Sequence, residues 1–173
     1  MIKKSTLIVA SLIICGNIFS QISQRKLINI DKYAYKIETS PRLDSFELKF
    51  DSIKVSVFIS ENKFSTVNKF INSNSTLSVD YYFKKSKLIL VRVDEKSPKF
   101  IDQYNYSSFY FSNDSIVSEK SRWTIPHGLT YPKEFDIYEL FGYNRTFSNN
   151  FLKEYIVTLY EKIKLPPTTA TRN

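Results

Sequence analysis

The 173-residue chain holds one cysteine, Cys15, one histidine, His127, one tryptophan, Trp123, and three glycines, Gly16, Gly128 and Gly142. Each scarcity removes a class of chemistry. Cys15 lies inside an N-terminal apolar run, so the chain beyond it has no thiol. It builds no disulfide, no thiolate zinc site and no cysteine nucleophile. A lone imidazole rules out a multi-histidine metal centre. Gly128 and Gly142 cannot form a glycine-rich phosphate loop, which excludes the P-loop and the dinucleotide-binding fingerprint. No cofactor is implied by any motif, and no run beyond the N-terminus reaches the ~20 apolar residues of a membrane-spanning helix.

The first twenty residues have the three parts of an export signal. Lys3 and Lys4 supply the positive start. Leu7 to Cys15 is apolar except for the small Ser11, and the polar pair Gly16-Asn17 breaks the run. Ser20 is small enough to precede a cleavage site, so cleavage is expected after it. The expected organisation is a signal peptide over 1–20, one domain over 21–165 and a loose tail over 166–173. The exported protein would then be periplasmic or secreted. A rival reading takes Leu12-Ile13-Ile14-Cys15-Gly16 as a lipoprotein box and anchors the chain in lipid through Cys15. Ile14 is bulkier than the small residue such a box places before its cysteine.

Charge is one-sided, with 25 lysines and arginines against 17 acids. The leader holds two lysines and no acid, so the formal charge of +8 falls to +6 without it. The bases are interspersed with acids, as in Arg92-Val93-Asp94-Glu95-Lys96. A solvated surface is the simpler account of such an excess, and weak contact with anionic lipid headgroups or glycans is the other. No nucleic-acid motif accompanies it. The abundance of 12 Tyr and 14 Phe, with many β-branched residues, favours strands.

Residues 22–38 predict an amphipathic helix, because Leu27, Ile30, Ala34 and Ile37 recur at helical spacing. Ser40-Pro41 ends it, since a proline pushes the residue before it out of the helical region. From 45 to 123 the period switches to two. Phe46, Leu48 and Phe50 alternate with polar neighbours, as do Ile53, Val55, Val57 and Ile59. Three segments share one plan: an aromatic-ended strand, a polar turn of about four residues and an apolar return. They are centred on Phe58, Phe83 and Phe111, and they predict a meander of about six or seven strands. In the second hairpin, Leu77, Val79, Tyr81 and Phe83 should share a buried face with Ile89, Val91 and Val93. Ser78, Asp80, Leu88, Leu90 and Arg92 should take the other. Pro132 and Gly142 bracket a short helix, Lys133 to Phe141. Over 149–164 the stripe Phe151, Leu152, Tyr155, Ile156, Leu159, Tyr160 and Ile163 predicts the clearest helix. One of Ser148, Asn149 and Asn150 should cap it, and Leu165-Pro166-Pro167 should stop it.

With Tyr81-Tyr82-Phe83-Lys84-Lys85-Ser86-Lys87-Leu88-Ile89 and Phe109-Tyr110-Phe111-Ser112-Asn113-Asp114-Ser115-Ile116 in place, the chain resembles small exported proteins of Gram-negative bacteria. These carry hairpins of the form YYF, short polar turn, KLI. The resemblance covers roughly residues 22–123 and rests on the hairpin pattern. It implies export and an α+β meander, and it transfers no functional residue.

Candidate sites are few. His127, with Glu134 or Asp136 to orient it and one of many serines as nucleophile, has the residue types of a small hydrolase. No serine sits in a nucleophile elbow, and a turn histidine between Pro126 and Gly128 accounts for it equally simply. The acids Asp94 and Glu95 are adjacent in a strand, so they point to opposite faces and do not converge. Trp123, Tyr131, Tyr138, Phe141 and Tyr143 crowd one irregular stretch, where they form either a ligand-binding platform or the lid of the core. The glycosylation-type triplets at Asn74, Asn105, Asn113 and Asn144 are what a chain rich in Ser and Asn contains by chance. The expected fold is α+β, an antiparallel β-meander of hairpins packed by an N-terminal and a C-terminal amphipathic helix. The expected function is that of an exported, non-catalytic binding or envelope-associated protein, with a protein or glycan partner and no nucleic acid. The alternative is a small extracytoplasmic hydrolase using His127 with Glu134 or Asp136.

Overall fold

Where side chains alternate with period two, a strand buries one face, and consecutive strands joined by short turns pair with their sequence neighbours. The computed structural model describes residues 24–73, 75–124 and 135–164. The chain forms two compact units, divided between Glu38 and Thr39. The first contains one described helix, α1, over residues 24–37.

Among the described residues, the second unit is a seven-stranded sheet followed by two helices. Its strands are β1 (Asp44–Phe50), β2 (Ile53–Ser60), β3 (Lys63–Phe70), β4 (Ser75–Lys84), β5 (Lys87–Lys96), β6 (Tyr104–Ser112) and β7 (Ser115–Trp123). They lie side by side in chain order, each antiparallel to the next. The helices are α2 (Ile137–Phe141) and α3 (Asn149–Lys164). The short helix is expected from Lys133. It begins instead at Ile137, because the Asp136 side chain accepts the Tyr138 and Glu139 amides there and caps it. Gly142 ends it at φ 72, a left-handed conformation suited to glycine. α3 starts after Ser148, whose hydroxyl accepts the Phe151 amide at 3.4 Å.

The hairpin turns are tighter than expected. Lys84 pairs with Lys87 and Ser112 with Ser115, leaving two-residue turns. Lys85 and Ser86 have φ of 51° and 60°, and Asn113 and Asp114 have 51° and 59°. Two positive φ values in succession match the right-handed twist of the strands.

Behind each of these turns the register slips by one residue. Phe83 lies opposite Leu88, and Phe111 opposite Ile116, so Ile89 and Val117 have no partner across the strand. Each is the extra residue of a β-bulge. The expected alternation is therefore corrected at one place. Leu88, not Ile89, joins the core face of the second hairpin.

That face carries Val55, Val57, Leu77, Val79, Tyr81, Phe83, Val91, Val93, Phe109 and Phe111. The same cluster contains Leu152, Tyr155, Ile156, Leu159 and Ile163 from α3, which fall at spacings of three and four. Removing a side chain of this size from water contributes roughly 1.5–3 kcal/mol, and the stripe supplies five of them. Aromatic rings fill the margins: Tyr81 stacks on Tyr160 at 5.5 Å, and Phe70 meets Phe147 at 4.9 Å. No described helix is long and apolar enough to cross a membrane.

Candidate functional site

The register confines the strand cations to one face, where Glu47, Asp80 and Asp94 accompany them. Every lysine and arginine of the seven strands lies on the face opposite the core cluster. The core face carries only acids among its charged strand positions: Asp44, Glu95 and Glu119. On the cationic face, bases sit over aromatic rings. The Arg42 guanidinium lies 4.1 Å from the Phe58 centroid, Arg92 is 5.3 Å from Tyr82, Lys120 is 5.0 Å from Tyr110 and Arg122 is 5.1 Å from Tyr106. Such pairs hold a cation near an apolar surface at a gain of ~0.5–1 kcal/mol when exposed. Tyr82, Leu90 and Tyr110, at the centre of this face, are buried.

Its open ground is the outer row at one end. Lys49 lies directly opposite Lys54, and Lys54 directly opposite Lys69. All three are exposed, and Lys96 closes β5 in the continuation of the same row. Like charges facing each other across strands are destabilising. No carboxylate is paired with these three lysines among the described residues.

The aromatic stretch divides on folding. Phe141 is fully buried, with its ring edge-on to Phe100 at 5.5 Å and 5.6 Å from Tyr143, which is buried too. Trp123 remains exposed at the end of β7, and Tyr138 is half-buried beneath the Arg145 guanidinium. Tyr131 lies outside the described residues, as do His127 and Glu134. Asp136 is described, and both of its oxygens are engaged. Oδ1 caps α2, and Oδ2 accepts from Arg145. Hydrogen bonding from Arg145 holds its carboxyl below the usual carboxylate range.

A second feature lies under the 141–144 segment. Glu95, on the core face, is buried. Its Oε1 accepts the Asn144 amide at 2.6 Å, and its Oε2 has no partner. Burial pushes its carboxyl up to about 7, against the pull of the Asn144 amide. The Tyr143 hydroxyl and Gln103 Oε1 are likewise buried without partners. Burial, reinforced by Glu95, pushes the Tyr143 phenol up to about 12. The segment is clamped by Ser97, whose hydroxyl donates to the Phe141 carbonyl at 2.6 Å. Asn144 Nδ2 donates to Ser75 Oγ at 3.2 Å. No group of three metal-ligating side chains occurs among the described residues.

One groove runs beside the C-terminal half of α3, lined by Leu88, Phe111, Ile156 and Tyr160, with a volume of about 90 Å³. Small-molecule sites are usually several times larger. The outer lysine row was legible by parity counting, had the turn lengths been known. Glu95 was not, because Asp94-Glu95 reads as a solvated pair until 141–144 covers one of them. No protein-family model, curated protein or solved structure matches the chain.

Proposed function

We propose that this chain is an exported, non-catalytic binding module that engages polyanionic partners of the cell envelope through the cationic face of its sheet. The observation that carries this reading is the confinement of every strand lysine and arginine to one face, ending in the opposed row Lys49, Lys54 and Lys69. A solvated surface with no charged partner gains nothing from placing like charges opposite one another. A partner of opposite sign turns that cost into attraction. Export rests on the residues before Gln21, and both periplasmic residence and secretion are compatible with it. Of the two acids the hydrolase reading offers His127, Asp136 spends its oxygens on a helix cap and on Arg145, which leaves that reading with Glu134.

Binding to immobilised heparin, used as a generic polyanion, tests the reading. The protein purified after export is expected to bind at low salt and to elute as salt screens the charges. Replacing Lys49, Lys54 and Lys69 together by serine should shift elution to distinctly lower salt. Unchanged elution would refute the assignment of this face. Mass spectrometry of the same sample reads the N-terminus, expected at Gln21. A lipidated Cys15 would replace the soluble form by an anchored one.

A further inference from the structure

We infer that the partner of the cationic row is an anionic lipid surface, docked on the end of the sheet that carries the β1–β2, β3–β4 and β5–β6 turns. This rests on the polyanion-binding reading and narrows it to one kind of partner. In a meander, alternate turns fall at the same end, so these three turns stand together beside Lys49, Lys54, Lys69 and Lys96.

Two of them raise a bare aliphatic side chain. Ile71, at the β3–β4 turn, is 52% exposed, and Ile101, at the apex of the β5–β6 connection, is 82% exposed. Neither results from a loose loop. The Ile71 amide donates to the Ser52 carbonyl at 2.9 Å, and Asn72 Nδ2 donates to Ser52 Oγ at 3.1 Å. The β5–β6 connection is held by Ser97 Oγ, which accepts the Lys99 and Phe100 amides at 3.2 and 3.0 Å. The Phe100 ring is anchored on Phe141. The anchored loops hold Ile71 and Ile101 outwards, two strands or roughly 10 Å apart.

The combination selects the partner. A soluble polyanion rewards the lysines and leaves both isoleucines in water. An acidic bilayer rewards both: its headgroups take the ammonium groups, and the boundary beneath them takes the aliphatic tips. Lysine spacing of about 4.8 Å between neighbouring strands lets several headgroups be contacted at once. Asp51 and Asp102 lie in the same turns, and Glu47 lies beside Lys49 on the same face, and all three temper the field, while the Lys99 ammonium donates to the Glu139 carbonyl at 2.6 Å. The row keeps an excess of cations.

Co-sedimentation with phosphatidylcholine vesicles, with and without phosphatidylglycerol, tests the inference, with heparin binding as the parallel measurement. Binding is expected only to vesicles that contain phosphatidylglycerol. Each lysine of the row replaced by serine should weaken it about fivefold. The pair Ile71→Ser and Ile101→Ser should weaken vesicle binding about tenfold while leaving heparin binding unchanged. Both sites are exposed, and an unaltered melting temperature verifies that the fold persists. If the isoleucine pair binds vesicles as the parent does, or if the parent binds heparin and no vesicle, the lipid assignment fails and the cationic face stands. If the parent binds neither, both readings fall together.

Discussion

The Tyr81 hydroxyl donates to the backbone carbonyl of Ile156 at 2.9 Å, joining the middle of β4 to the middle of α3. Both residues are fully buried. Burial pushes the phenol well above its ordinary range, which favours the protonated donor. Together with the Tyr155–Asn68 bond, this bond ties α3 to the sheet at two points. Tyr81→Phe keeps the ring and loses the donor. It should cost about 1 kcal/mol, read as a lower denaturation midpoint with an unchanged denaturant slope.

Asn68 carries a larger share. Its Oδ1 accepts the Tyr155 hydroxyl at 3.0 Å, and its Nδ2 donates to Thr66 Oγ1 at 2.8 Å and to the Leu77 carbonyl at 3.1 Å. It is a polar residue on an apolar face, fully buried and fully used. Asn68→Ala would orphan the Tyr155 hydroxyl inside the core and should cost about 3 kcal/mol. Tyr155→Phe in the same background should recover part of that loss, because the orphaned group is then gone. A double-mutant cycle measures the coupling.

Glu95 makes stability depend on pH in a definite direction. Its folded-state carboxyl lies at about 7, above the ordinary 4.5, so the folded protein holds this proton more tightly than the unfolded chain. The contribution is fully present below the ordinary value and is lost as pH rises through the folded one. Discounted for solvent screening, the loss is on the order of 1–2 kcal/mol at alkaline pH. Glu95→Gln keeps the oxygen that accepts from Asn144 and offers a donor in place of Oε2. The variant should melt higher than the parent at about pH 8 and lose the parent's decline between about pH 5 and that point. Equal pH dependence in the two proteins would show that Glu95 does not titrate in this range.

Ser86 stands at φ 60 and Asp114 at φ 59, each the second residue of a tight hairpin turn. Side chains with a Cβ pay about 1–2 kcal/mol for this conformation, partly relieved in Asp by local hydrogen bonding. Ser86→Gly should therefore stabilise by about 0.5 kcal/mol once the greater freedom of glycine in the unfolded chain is subtracted. The gain in Asp114→Gly should be smaller. Chemical denaturation of the two variants gives the comparison.

Period is a property of neighbouring side chains, and so the sequence by itself determined the strands from Phe46 to Trp123, the stripe of α3 and the meander order that short turns impose. The split of charge between sheet faces was implicit in the same parity, since Lys49, Lys54 and Lys69 each sit out of phase with their apolar neighbours. Parity fails where a bulge inserts a residue, as at Ile89 and Val117, each just behind a two-residue turn, and nothing in the hydropathy pattern marks either place. Tertiary structure alone decided that Phe141 and Tyr143 are buried while Trp123 stays outside. It also decided that Glu95 loses its water while Asp94, one residue away on the opposite face, keeps some of its own. The reason is distance along the chain. Burial of Glu95 depends on Asn144, 49 residues later, and no local pattern encodes which segment will return to cover a given face.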